Sequence, residues 1–534
     1  MSLPLPPSTL YLPLLLLFGL LTRTLIAWLL PPGFDEAYYF LYTQHLDWSY
    51  FDHPVIVALS SGVGIWLTGL ITPLTLRLGG LLLYTASTGL LYLTGRHLFG
   101  EAVGRLAAAI ATVTPLFFLG FGTLASPDNG LIFFWSAVMS VAALEFFPTG
   151  SGDDFARSTY WPTYRIVIIG ALLGLACLSK YHGFVLGLSL VGFCLSSSRH
   201  RRVLASPWLG VGLLVFALTL TPLVYWNIRH DWISFGFHLS TRFEGGGATG
   251  FNILNVLWVW LAEVGFLFPT IGFPLWWITV KSIGQCFVKE SGAKGSGSSP
   301  QAFVLWLGLP IVVGFTLLGG VTHIYPAWPA PGLWCLSLLL ARSAAKWPEP
   351  RLRRWLGGTG MVLGAFLLFV LLHVSLGTLQ QQSRFALFGG VFSADSDPTA
   401  TLIDVVKLRR QIQKRPRVRA AIANADFLVT NEFWLSGYVD MAISPMTNAP
   451  VTAFTEDPRG HALWFNPENW RGRQVVFISI ADFDQTALKA EYQSYFSQFE
   501  LLDTVALARS GAVTETVYLY QVGQLTKNYP YPYP

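Results

Sequence analysis

Charge is scarce in this 534-residue chain: Asp, Glu, Lys and Arg make up 12% of it, about half the share usual in soluble domains. With 53% hydrophobic residues, 15% aromatic residues and a mean hydropathy of +0.50, that scarcity excludes an ordinary water-soluble protein. Cysteine is rarer still. Cys177, Cys194, Cys286 and Cys335 all fall in apolar runs or in loops read as cytoplasmic, so an oxidising compartment would find no disulfide to make. There is no Gly-rich phosphate loop and no dinucleotide fingerprint. No His and carboxylate spacing defines a metal site, so neither cofactor nor metal is expected. The first apolar run lacks the charged n-region and small-residue cleavage site of a signal peptide.

What the chain has is long apolar runs of the length a helix needs to cross the hydrocarbon core. They lie near 10–30, 76–95, 104–121, 130–147, 207–226, 252–280, 302–321, 328–342 and 356–378. Residues 166–197 form a further run broken by Ser179, Lys180, Tyr181, His182 and Gly183, read as two short helices meeting at a turn. The total is about eleven spans, a polytopic α-helical membrane protein. Short cytoplasmic loops retain Lys and Arg. Placing the N-terminus inside puts Arg96, Arg105, Arg157, Arg165, Arg199, Arg201, Arg202, Lys281, Lys289, Lys294, Arg342, Lys346, Arg351, Arg353 and Arg354 there. Arg77, Lys180, Arg229 and Arg242 are left outside. The net charge of +5 thus reflects membrane orientation and does not call for nucleic acid.

With that topology the outward loops carry acids, histidines and lone cations. GFDEAYYFLYTQHLDWSYFDHP (33–54) holds Asp35, Glu36, Asp52 and His53, SPDN holds Asp128, and SKYHG holds Lys180, Tyr181 and His182. WNIRHDW (226–232) adds Arg229 and His230, and GGVTHIYPAWPAP (319–331) adds His323 and Tyr325. Ionisable groups at such positions are functional candidates. Each also has a plainer explanation. Asp35 would suit the first turn of a helix, and Ser126, Pro127 and Asp128 read as N-cap, N1 and N2 of the next span. Lys180 could snorkel, although a cation outside runs against the charge bias. Single histidines more often satisfy local hydrogen bonds than act as bases. Asp35, Tyr38, Tyr39 and Tyr42 share one face at helical spacing, as an interfacial helix over 34–47 needs. Arg23, within the first span, requires a partner, and Asp35 and Glu36 are the nearest acids in sequence.

Beyond Asp395 the long apolar runs stop. DFLVT (426–430), VTAFT (451–455), QVVFISI (474–480) and ETVYLYQV (515–522) read as strands, and 400–424, 433–443 and 485–496 as helices. A small α/β domain on the outer face is expected over 381–534, following a membrane domain over 1–380 and ending in a mobile, low-complexity YPYPYP tail.

Together, DEAYYF, HLDWSYFDHP, SPDN, SKYHG, WNIRHDW and the outward C-terminal domain resemble the polytopic GT-C glycosyltransferases. More narrowly, they resemble the bacterial branch related to protein O-mannosyltransferases and to the lipid A aminoarabinose and galacturonic acid transferases. The resemblance implies a polyprenyl-monophosphate sugar donor, attacked with inversion on the outer face by a hydroxyl of an envelope lipid, glycan or protein. It implies a bacterial plasma membrane, with Asp35 as general base and Glu36 orienting the acceptor or holding Arg23. Asp128 would bind donor or acceptor hydroxyls. A hydroxyl nucleophile needs a carboxylate to take its proton. The phosphate leaving group needs only cations, a role suited to Lys180 and Arg229 with His182 and His323. Tyr38, Tyr39, Tyr42, His53, Tyr181, His230 and Tyr325 are the expected substrate-binding residues. The alternative, a lipid or sugar transporter or flippase, should place its ionisable groups near the bilayer midplane, whereas these cluster at one surface.

Overall fold

The computed structural model describes residues 11–148, 160–238, 250–290, 299–393 and 396–533. Arg157, Arg242, Lys294 and Asp395 lie outside these residues. The chain forms two compact units: one from residues up to 24, 48–60 and 80–365, the other from 25–47, 61–79 and 366 onward.

Helices α1 (Tyr11–Leu29), α2 (Phe34–Gln44), α3 (Ile56–Thr68), α4 (Pro73–Phe99) and α5 (Glu101–Val113) open the chain. A π-helical segment, Leu116–Phe121, leads to α6 (Pro127–Phe146). Then follow α7 (Arg165–Ser179), α8 (Gly183–Ser196), α9 (Pro207–Thr219), α10 (Thr221–Arg229) and the single turn α11 (Ile233–Gly236). The helical series closes with α12 (Ile253–Phe266), α13 (Pro269–Glu290), α14 (Pro300–Leu318), α15 (Ala330–Ala344) and α16 (Glu349–Leu376). Among the described residues α1, α4, α6, α14 and α16 are each long and apolar enough to cross a bilayer, and α3, α7 and α8 are shorter apolar helices.

Two pairs are bent: α9 and α10 by 45°, α12 and α13 by 120°. The second bend corrects the reading of 252–280 as one span. Pro269 starts a new helix well, and Phe268 before it leaves helical geometry at φ +68°. The SKYHG interruption falls where expected, between α7 and α8, with Lys180 in extended backbone.

The core of the first unit packs Trp135, Trp334, Phe117 and Phe121. The indoles of both tryptophans find an acceptor: Trp334 Nε1 donates to Ser136 Oγ at 3.0 Å and Trp135 Nε1 to Cys335 Sγ at 3.0 Å. Gly308 and Gly332 let α14 and α15 touch backbone to backbone, since a Cβ on Gly332 would lie 2.3 Å from the Gly308 carbonyl oxygen.

The second unit holds α17 (Val405–Gln413), α18 (Pro416–Asn424), β1 (Phe427–Thr430), α19 (Phe433–Ile443), β2 (Val451–Ala453) and α20 (His461–Trp464). After these come β3 (Gln474–Ile480), α21 (Gln485–Tyr492), β4 (Glu500–Arg509) and β5 (Ala512–Gln524). The sheet order is β2-β1-β3-β5-β4, parallel from β2 to β3 and antiparallel around β5. Val429 pairs with both Thr452 and Phe477, so β1 is central and buried along its length. The YPYPYP tail packs against this unit. Tyr529 stacks on Phe454 at 4.5 Å, and the Tyr531 and Tyr533 hydroxyls donate to the carbonyls of Ala453 and Arg459, both at 3.0 Å.

Candidate active site

The acidic pair splits. Gly33 caps α2 in extended backbone, leaving Asp35 exposed in the first turn while Glu36 is buried beside it. Glu36 accepts from the backbone N–H of Gly33 at 2.9 Å and from Arg77 Nε and Nη2 at 2.8 and 2.6 Å. Arg77 is itself fully buried, and its other donors go to the carbonyls of Ala27, Leu30 and Pro31 at 2.9, 2.6 and 3.0 Å. All five guanidinium N–H groups are thereby used, three of them on carbonyls at and beyond the end of α1, where helical partners run out. This corrects two expectations. Arg77 is not a lone outer cation, and Glu36 does not hold Arg23. The Arg23 guanidinium donates to Thr85 Oγ1 at 2.8 Å and lies 4.6 Å from the Tyr84 ring centre.

The tyrosine stripe is enclosed by protein, which corrects its expected place among lipid headgroups: Tyr38, Tyr39 and Tyr42 are all buried. Tyr38 packs edge-on to Phe433 at 5.1 Å, and its hydroxyl accepts the Gly460 N–H at 3.0 Å. Trp464 meets Tyr42 at 5.9 Å and stacks on His45 at 4.7 Å. Arg459 lies 3.9 Å from the Phe433 ring centre and 5.7 Å from that of Tyr38. Helix α19 crosses α2 in backbone contact, because a Cβ on Gly437 would fall 2.1 Å from the Ala37 carbonyl oxygen. Next to it the Tyr438 hydroxyl donates to the Pro32 carbonyl at 2.9 Å. His461, in hydrogen-bond contact with Ser436 Oγ at 2.7 Å, is held neutral, burial pushing its imidazole down to about 3. The turn that carries Asp35 is therefore seated on the α/β fold. Sequence reasoning missed Arg77, Gly437, Tyr438, Arg459 and Trp464. Only Arg77 left a signal, as a cation at the edge of an apolar run.

In the first unit, Asp128 sits at the second position of α6 after Ser126 and Pro127, as expected. Lys180 Nζ lies 2.9 Å from both of its carboxylate oxygens, each side chain 9% exposed. Asn129, also missed, braces the preceding loop: its Oδ1 accepts from Ser126 N at 2.8 Å, and its Nδ2 donates to Phe121 O at 2.7 Å and Leu124 O at 3.0 Å. Beyond Lys180 several loops meet. The Tyr181 hydroxyl bonds Ser234 Oγ at 2.7 Å and its ring lies 4.7 Å from His238, whose Nε2 is 2.8 Å from the Asp52 carbonyl. His53 is buried with its ring 6.2 Å from His238. His182 stacks on Phe315 at 4.8 Å and stands 6.3 Å from Trp328, against which Tyr325 packs at 5.7 Å. His323 faces Tyr325 edge-on at 4.8 Å, and both are exposed.

Two expected members engage their own helix. Arg229 is exposed against Tyr225 of α10, 3.2 Å from its hydroxyl, and His230 stacks on Trp226 at 4.1 Å. Among the described residues no group of three or more His, Cys, Asp or Glu side chains converges as a metal site.

The apolar helices make this an integral membrane protein. Residues 52–226 match the family model described as dolichyl-phosphate-mannose-protein mannosyltransferase. Over that stretch the chain is similar to the glycosyltransferases of this family. Within that class it is similar to the lipid A galacturonosyltransferase RgtD of Rhizobium johnstonii, 22% identical over 472 residues that cover 84% of this chain and 92% of RgtD. The fold is similar to that of ArnT from Cupriavidus metallidurans. The undecaprenyl phosphate complex matches with TM-score 0.58 at 14% identity, covering 96% of this chain and 98% of ArnT. The apo state matches with TM-score 0.59 at 14% identity, covering 95% and 97%.

Proposed function

We propose that the protein transfers a sugar, with inversion, from a polyprenyl monophosphate to a hydroxyl of a cell-envelope lipid, glycan or protein. The observation that carries this reading is the division of the acidic pair. Glu36 is consumed by Arg77, whereas Asp35 is presented at the surface of a rigidly seated helix turn. Asp35 takes the proton of the attacking hydroxyl as the glycosidic bond forms. Lys180, presented by Asp128, neutralises the departing phosphate, which leaves without protonation. His182 and Tyr181 flank that lysine, and the exposed His323, Tyr325 and Arg229 offer further polar contacts to the donor.

The same reading has about eleven spans over residues 1–380 of an inner membrane, with the α/β domain over 381–534 on the extracytoplasmic side. The similarity to RgtD and ArnT supports an undecaprenyl-type donor and a lipid A-like acceptor. The decisive test is Asp35→Asn in proteoliposomes, supplied with polyprenyl-phosphate sugar and acceptor lipid. The turnover falls by at least about 100-fold, the lower end for a lost general base, while insertion and melting temperature stay at wild-type values. Near-normal turnover overturns the assignment.

A further inference from the structure

The segment after α16 is apolar, exposed and firmly held. Helix α16 shows Phe366, Leu368, Phe369 and Leu372 on its surface and stops at Gly377, φ +70°. The chain then folds back onto the helix end. Ser383 Oγ donates to Leu376 O at 2.6 Å, Leu387 N to Thr378 O at 2.8 Å, and Val391 N and Phe392 N to Leu379 O at 2.7 and 2.9 Å. Gln380 is buried and donates to Asp397 at 2.5 Å.

From that base a turn projects Phe385, Leu387, Phe388 and Val391 outward. Phe388 is fully exposed and adopts φ +53°, a conformation unfavourable for a side chain of its size. Gly389 and Gly390 follow at φ +82°, and a Cβ on Gly390 would lie 2.4 Å from Gln381 N, so the turn requires glycine there. Arg384, Gln381 and Gln382 make an exposed polar rim. A strained turn that displays four apolar side chains to water gains nothing for folding.

We propose that residues 385–391 form a membrane-interface anchor, the four apolar side chains entering the boundary between lipid headgroups and acyl chains beside α16, with Arg384 at phosphate level. The proposal rests on α16 crossing the bilayer. The loop is bonded to carbonyls at and just past the last residue of that helix, so its apolar tip continues the lipid-facing surface of the span. An aromatic and aliphatic tip rimmed by a cation and amides is the composition that partitions to this depth. The anchor fixes the height of the α/β fold above the bilayer, as recognition of a lipid-borne substrate demands.

The test uses the full chain with its native cysteines replaced and a nitroxide placed by Phe388→Cys, in phosphatidylethanolamine–phosphatidylglycerol vesicles. Met361→Cys in α16 serves as the bilayer reference and Lys489→Cys in α21 as the water reference. Collisions with oxygen and with a water-soluble nickel chelate are compared. The anchor shifts the oxygen-to-nickel ratio at position 388 toward that of Met361→Cys. A ratio equal to that of Lys489→Cys overturns it, and so does dipolar broadening from a second copy with both collision rates low. If Met361→Cys also reads as water, it is the spanning assignment of α16 that fails.

Discussion

Arg77 spends two of its donors on Glu36 and the rest on carbonyls of the chain that leads into α2, so one guanidinium joins three segments of the second unit. Removing one partner of a buried pair costs about 3–5 kcal/mol because a charge is stranded. Glu36→Gln therefore lowers the melting temperature of the detergent-solubilised protein sharply. Lysine at position 77 does not rescue it, as it lacks the planar fork. A pure loss of turnover in Glu36→Gln with unchanged melting would return Glu36 to a direct chemical role.

Lys180 and Asp128 are separable by a pair of variants. Lys180→Met alone strands the Asp128 carboxylate and is destabilised; Lys180→Met with Asp128→Asn removes both charges and regains most of the fold. If Lys180 serves the donor phosphate, the double variant still shows a donor KM raised roughly ten- to hundredfold, the worth of one charge-assisted hydrogen bond at about 1.5–3 kcal/mol. The acceptor KM stays within error. A shift confined to the acceptor assigns the lysine elsewhere.

Tyr38→Phe leaves the buried Gly460 N–H without its acceptor, at a cost of about 1–3 kcal/mol. Denaturant melts of the purified protein should show that loss. Melting indistinguishable from wild type would mean that the bond from Gly460 does not hold α2 in place.

His461 gives a pH signature. Its ordinary value is 6.5 and burial holds it at about 3 in the folded protein, so the unfolded chain binds more protons between those limits. Stability from this residue is complete above 6.5 and is lost as pH falls toward 3. His461→Gln, which cannot titrate, flattens the fall in melting temperature between neutral pH and pH 4.5 relative to wild type. Parallel curves for the two proteins would refute the buried neutral imidazole.

Local patterns carried much of the architecture. QVVFISI and residues 433–443 are found at their expected bounds, because each combines strong propensity with a buried face. Residues 400–424 divide into α17 and α18 at Pro416, which starts a helix better than it continues one. Strand β4 escaped notice since it is an edge strand: Glu500 and Asp503 interrupt its apolar alternation, as edges commonly require. The acids and cations of the site were legible as residue types, while their pairings were not. Glu36 meets Arg77 across 41 positions and Asp128 meets Lys180 across 52, separations that no local period encodes.

The bond from Tyr438 to the Pro32 carbonyl spans 406 positions, and that distance is also a delay. A ribosome adding about 5–20 residues per second releases Arg77 within roughly 2–8 s of Glu36, but Tyr438 only some 20–80 s after Pro32. The Glu36–Arg77 clasp can thus close while most of the chain is still unmade, whereas the seat for α2 arrives near the end of synthesis. A nascent chain arrested before α19 inserts its apolar helices yet leaves the Asp35 turn unseated, so premature termination products are expected to be silent in the membrane rather than partly active.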